Sequence, residues 1–108
     1  YESVRSDKMV QMDTQPTLAD TCAGNVDLDS ITLELCRRYV DEILLLTEKE
    51  IEASIRLLFE QHRLVSEGSG ALGVGGLLKR KDQIKGKKVV AVVCGRNIDL
   101  DVFKKIIA

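Results

Sequence analysis

The stretch Lys87–Leu100, KKVVAVVCGRNIDL, decides how the rest of the chain is read. Val89–Val93 is a five-residue apolar run, β-branched at four positions and too short for a helix. It reads as a strand covered on both faces, the pattern of parallel sheets. Cys94 and Gly95 end the run, and Asn97 and Asp99 lead into a following helix. In open parallel sheets ligands gather outside the carboxyl ends of the strands, where loops and helix N-termini converge. Cys94 can place a weak sulfur donor at that edge, and Gly95 lets backbone approach a ligand. A plainer reading fits the same letters: a small buried thiol and a turn glycine, since free cysteine is among the most buried residue types.

Downstream, Asp99 caps a last helix with Val102, Phe103, Ile106 and Ile107 on its apolar face. Upstream, SEGSGALGVGGLLKRKD predicts an apolar helix through Ala71, Leu72, Val74, Leu77 and Leu78. Its glycines each cost about 1 kcal/mol in a helix interior, but small residues also permit close approach to a sheet. The basic run LLKRKDQIKGKK reads as a solvated helix end and loop. Thr47 and Glu50 have capping-box spacing, and Ile51, Ile55, Leu58 and His62 recur on one face of the helix that follows. Glu42–Leu46, EILLL, reads as a second buried strand. Before it, Ser30 caps a helix ending near Val40, with Ile31, Leu35 and Tyr39 inward. Residues 1–29 lack any sustained period, contain the only proline (Pro16), and read as irregular connecting structure. The predicted class is α/β, with parallel strands, flanking helices and right-handed crossovers. Two strands do not make a stable sheet alone, so the expectation is part of a larger α/β domain or a chain that completes its sheet with a partner.

With 108 residues, 44% hydrophobic and 31% charged, the chain has the composition of one globular domain. Its formal net charge of -1 gives no electrostatic reason to expect nucleic acid or an anionic membrane as partner. There is no apolar stretch of the roughly 18 to 20 residues that span a bilayer, and no signal-peptide pattern, so a cytoplasmic location is expected. Cys22, Cys36 and Cys94 form no metal-ligand cluster, and an odd count argues against a closed disulfide framework. His62 reads as a structural histidine on an apolar face, and Asp27 and Asp29 as turn or cap residues. SEGSGA could expose amides at a helix N-terminus, with Glu67 offering a carboxylate, but it is neither a P-loop nor a dinucleotide fingerprint.

Taken together and in order, TLADT, YVDEILLLTEKEI, SEGSGALGVGGLL and CGRNIDLDVF resemble consecutive segments of the threonine dehydratase and serine racemase family, pyridoxal phosphate enzymes of fold type II. The resemblance covers nearly the whole chain. VDEILLLTEKEI is similar to a Val-Asp-Asp-strand-Thr/Ser-Glu-x-Glu-Ile segment, EGSGA to Glu-Gly-Ala-Gly-Ala, and CGRNIDL to Ser-Gly-Gly-Asn-Ile-Asp-Leu. Arg96 replaces the second glycine of that last pattern, which resembles the branch linked to hydroxyectoine utilisation.

The resemblance implies that residues 1–108 are a C-terminal portion of the large, catalytic domain of such an enzyme. It implies Cys94 at the pyridine nitrogen of pyridoxal phosphate, in place of the usual serine, with Gly95 and Glu67 also in the cofactor pocket. A neutral partner does not hold that nitrogen protonated, which favours elimination over prolonged carbanion chemistry. The implied reaction is β-elimination of a hydroxyamino acid to a 2-oxo acid and ammonia. The family's Ser-x-Lys-x-Arg-Gly motif and tetraglycine phosphate loop are absent, and Ala19-Asp20-Thr21 stands where the family has Ala-Asp-Gly. The chain alone is therefore expected to be inactive, with the remainder of the catalytic domain as its partner and with homo-oligomers, common in the family, as the expected assembly. Racemisation, and a noncatalytic interaction or regulatory module built on the same fold, are the alternatives.

Overall fold

Helices α1 (Glu2–Ser6), α2 (Thr32–Tyr39), α3 (Glu48–His62), α4 (Gly68–Lys79) and α5 (Leu100–Ile107), with a 3-10 turn at Asp20–Cys22, form the regular structure. It is seen in a computed structural model that describes residues 1–108. The longest helix, α3, begins where the sequence places its cap. Thr47 Oγ1 accepts the Glu50 amide at 3.3 Å, and Glu50 Oε2 accepts the Thr47 amide at 2.7 Å, so two orphan donors of the first turn are satisfied reciprocally. The helix ends at Arg63, whose φ of 56° turns the chain left-handed.

Ile51, Ile55 and Leu58 give α3 a buried face. Against it pack Ala71 of α4, Phe103 and Ile106 of α5, and Ala19 from the turn before α2, in a single apolar core. Phe59 and Phe103 meet edge to face, with ring centroids 5.3 Å apart, an arrangement favoured by the ring quadrupoles. Buried Ser54 donates its hydroxyl to the Glu50 carbonyl at 2.6 Å, so its burial strands no polar group. The α5 cap also matches expectation: Asp99 Oδ1 accepts the amides of Asp101 and Val102 at 2.9 and 3.2 Å.

The α/β expectation with parallel strands is overturned. No β-strand is present: neither Glu42–Leu46 nor Val89–Val93 has regular structure, and no backbone–backbone hydrogen bond joins them. Both runs lie beside α4 instead. Leu44 and Leu46 sit over Gly76 and Gly75, and Ala91 and Val92 over Gly73. A strand is defined by its backbone partner, and no segment within residues 1–108 pairs its backbone with either run, although each lays one face on α4. Val90 and Val92 are 90% and 73% exposed, so the expected burial on both faces does not occur either.

Two helix-face expectations also change. Ile31, Leu35 and Tyr39 are exposed, because α2 meets only the short α1, held by an ion pair from Arg37 Nε to Asp7 Oδ1 at 2.9 Å, and has no core beneath it. His62 is exposed as well, since the left-handed turn at Arg63 closes α3 one turn beyond the last buried residue, Leu58. Within residues 1–29 the structure adds α1 and the 3-10 turn to an otherwise irregular path.

Candidate functional site

The segments singled out in sequence converge at the N-terminal end of α4. Ser66 and Glu67 lead into the helix, and Gly70, one turn in, lies directly against the main-chain oxygens of Cys94 and Gly95. A side chain there would collide with the Cys94 carbonyl, so glycine is what lets α4 seat on this loop. The helix end is further closed by buried Ser66, whose Oγ donates to the Glu67 carbonyl at 3.0 Å.

Gly95 turns the chain with a φ of +84°, a conformation that side chains rarely adopt. Its carbonyl accepts the Glu67 amide at 3.2 Å. The Glu67 carboxylate folds beneath the loop: Oε2 accepts the Asn97 amide at 2.9 Å, and Oε1 accepts the Thr21 hydroxyl at 3.3 Å. Glu67 therefore joins three pieces of chain that are distant in sequence, namely the 3-10 turn, the start of α4 and the Cys94–Asn97 loop. The Cys94 thiol is free and exposed, which removes the reading of a small buried thiol. Ser69 Oγ, in the first turn of α4, is buried and has no hydrogen-bond partner.

A cleft of about 140 Å³ opens between Leu18, Asp20, Glu67 and Asn97–Asp99. An apolar cleft of about 270 Å³ lies on the other side of the 3-10 turn, between Ala19, Cys22, Leu44–Leu46 and Leu72. The largest clefts lie away from Cys94, one of them about 400 Å³ over the N-terminal loop around Met12 and Asn25.

All three residues expected at the site, Glu67, Cys94 and Gly95, are thus brought to one edge. Sequence reasoning did not anticipate that Thr21 and Asn97 would share the Glu67 carboxylate. The signal for Thr21 was its departure from Ala-Asp-Gly, which places a hydroxyl where the usual pattern has none. The basic run elsewhere is solvated or tied down locally: Lys79 Nζ meets the Leu45 carbonyl at 2.8 Å and Glu50 Oε1 at 3.0 Å, and Arg80 pairs with Glu42.

The chain is 42% identical over 105 residues to an L-threonine ammonia-lyase of Thermotoga maritima, covering 97% of this chain and 26% of that protein. It is 39% identical over 104 residues to the catabolic L-threonine dehydratase TdcB of Escherichia coli K12, covering 91% of this chain and 30% of that protein. The crystal structure of serine racemase from Dictyostelium discoideum superposes with a TM-score of 0.79 at 29% identity, over 93% of this chain and 32% of that one. The chain thus spans about a quarter to a third of the length of these relatives. Residues 1–95, including the 3-10 turn, α4 and Cys94, match the family described as pyridoxal-phosphate dependent enzyme, and the chain belongs to that family.

Proposed function

We propose that this chain is the C-terminal portion of the catalytic domain of an ammonia-lyase that uses pyridoxal phosphate to convert a hydroxyamino acid, threonine or serine, to a 2-oxo acid and ammonia. Residues 1–29 are its connecting segment. The observation that carries the reading is the convergence of Cys94, Gly95 and Glu67 at the α4 N-terminus, in a chain whose relatives bear ammonia-lyase and dehydratase names.

The donor set suits the ring edge of this cofactor. An exposed thiol can donate its weak S–H to the lone pair of a neutral ring nitrogen. Buried, unpartnered Ser69 Oγ leaves a hydroxyl in the same turn of α4. When bound, the cofactor supplies the electron sink for loss of the substrate's α-proton. Cys94 would hold the ring edge without fixing a positive charge there, Gly95 would keep the backbone close, and Glu67 would fix the loop that carries both. The Schiff-base lysine and phosphate cradle are to be contributed by the remainder of the catalytic domain.

Racemisation is the second reading, favoured by the likeness to serine racemase. One assay on the full-length protein separates the two: 2-oxo acid and ammonia from L-threonine or L-serine support elimination, whereas D-serine without keto acid supports racemisation. The site assignment is tested by Cys94→Ala, which is expected to alter both cofactor affinity and elimination rate. If neither changes, the assignment is wrong.

A further inference from the structure

Thr21 and Glu67 do not need to touch a ligand to matter at this edge. Glu67 is used from three directions: its backbone amide donates to the Gly95 carbonyl, one carboxylate oxygen accepts the Asn97 amide, and the other accepts the Thr21 hydroxyl. The two loop contacts bracket Arg96 and pin both sides of the positive-φ turn that follows Cys94. The direction in which the Cys94 thiol points is set by that turn. The third contact ties the same carboxylate to the 3-10 turn Asp20–Cys22, whose neighbour Ala19 is anchored in the core. The Asn97 contact, at 2.9 Å to a carboxylate, is of the stronger, charge-assisted class, whereas the Thr21 contact, at 3.3 Å, is longer and weaker and serves to direct the second oxygen.

We propose that Thr21 and Glu67 are positioning residues for the cofactor edge: the Thr21 hydroxyl orients the Glu67 carboxylate, which in turn holds the Gly95–Asn97 backbone and so aims the Cys94 thiol. The inference rests on the placement of Cys94 at the cofactor ring. It gives the threonine of Ala19-Asp20-Thr21 a task, linking the core-anchored turn to the loop across the helix start.

The test uses the full-length protein bearing these residues, with pyridoxal phosphate as the probe. It reads the cofactor dissociation constant and the absorption band of the bound cofactor, alongside the unfolding midpoint of the cofactor-free protein. Thr21→Val is expected to weaken cofactor binding about fivefold, the worth of one ordinary hydrogen bond, and to shift the band. Thr21→Ser is expected to restore both. Glu67→Ala is expected to weaken binding about tenfold or more, while Glu67→Gln, which can still accept from Asn97 and pair with Thr21, retains most of the affinity. Should Glu67→Ala fail to fold, the Thr21 pair decides alone. Unchanged affinity and band in Thr21→Val would overturn the inference, whether or not the unfolding midpoint falls. In that event Cys94→Ala separates the two failures: a shifted band leaves the Cys94 assignment standing and removes only the relay, whereas an unshifted band removes both.

Discussion

Glu67 Oε1 lies where a side chain on Gly95 would begin: a Cβ at position 95 would fall 2.5 Å from it. A larger residue at 95 would therefore have to displace the Glu67 carboxylate, in addition to adopting a positive φ. Gly95→Ala is expected to lower stability by about 1–3 kcal/mol, combining backbone strain with displacement of the carboxylate. Denaturant unfolding of the full-length protein measures this, and a loss below about 0.5 kcal/mol would contradict the geometry.

Gly70→Ala tests the other side of the same contact. Its Cβ would strike the main-chain oxygens of Cys94 and Gly95, which cannot yield as a side chain can. A loss of about 1–3 kcal/mol is expected from forced overpacking, with weaker cofactor binding as the loop is pushed outward. A helix-propensity gain from replacing glycine, worth about 1 kcal/mol, would be the outcome if the helix were not seated on the loop.

Ile55 is fully buried at the centre of the α3 face. Ile55→Ala is expected to cost about 2–5 kcal/mol, the transfer term plus the cavity left behind, and Ile55→Val about 0.5–1.5 kcal/mol. Unfolding midpoints in denaturant rank the two.

The first turn of α3 carries a pH dependence. The Thr47 backbone amide, followed by Lys79 and the Thr47 hydroxyl, holds the Glu50 carboxyl below its ordinary value of 4.5. The unfolded chain lacks these partners, so their contribution is complete above pH 4.5 and is lost as the pH falls from there through the lowered native value. Glu50→Gln should therefore be less stable than the parent at neutral pH, and the gap should close on acidification. A gap that widens in acid would reverse the sign of the coupling. Thr47→Ala, which removes the other half of the box, is expected to cost about 1 kcal/mol at neutral pH.

The helices were legible wherever their signals are local. Thr47 with Glu50, and Asp99 before an apolar face, announce helix starts through contacts within one turn, and both form as expected. The strands were not legible. VVAVV and EILLL carry the composition of strands, but composition encodes what a side chain prefers to sit beside and leaves open which backbone lies next to it. In the structure each run has a face on α4 but no backbone partner within the chain. At the site, Cys94, Gly95 and Glu67 were each visible as unusual letters. Their meeting depends on Gly70, whose closeness to the loop joins residues more than twenty apart, and on the Thr21 hydroxyl, a contact spanning forty-six positions. Such pairings leave no periodic trace in sequence.

The bare valines beside α4 also bear on how the segment behaves by itself. Residues 88–94 have no backbone hydrogen bond, and Val90 is almost wholly exposed, while α4 and α5 both pack on α3. In the isolated segment this ribbon is an unpaired edge, open to pairing with another chain. A single lysine in place of Val90, on the exposed side, should raise the soluble yield of the isolated segment more readily than any change in its core.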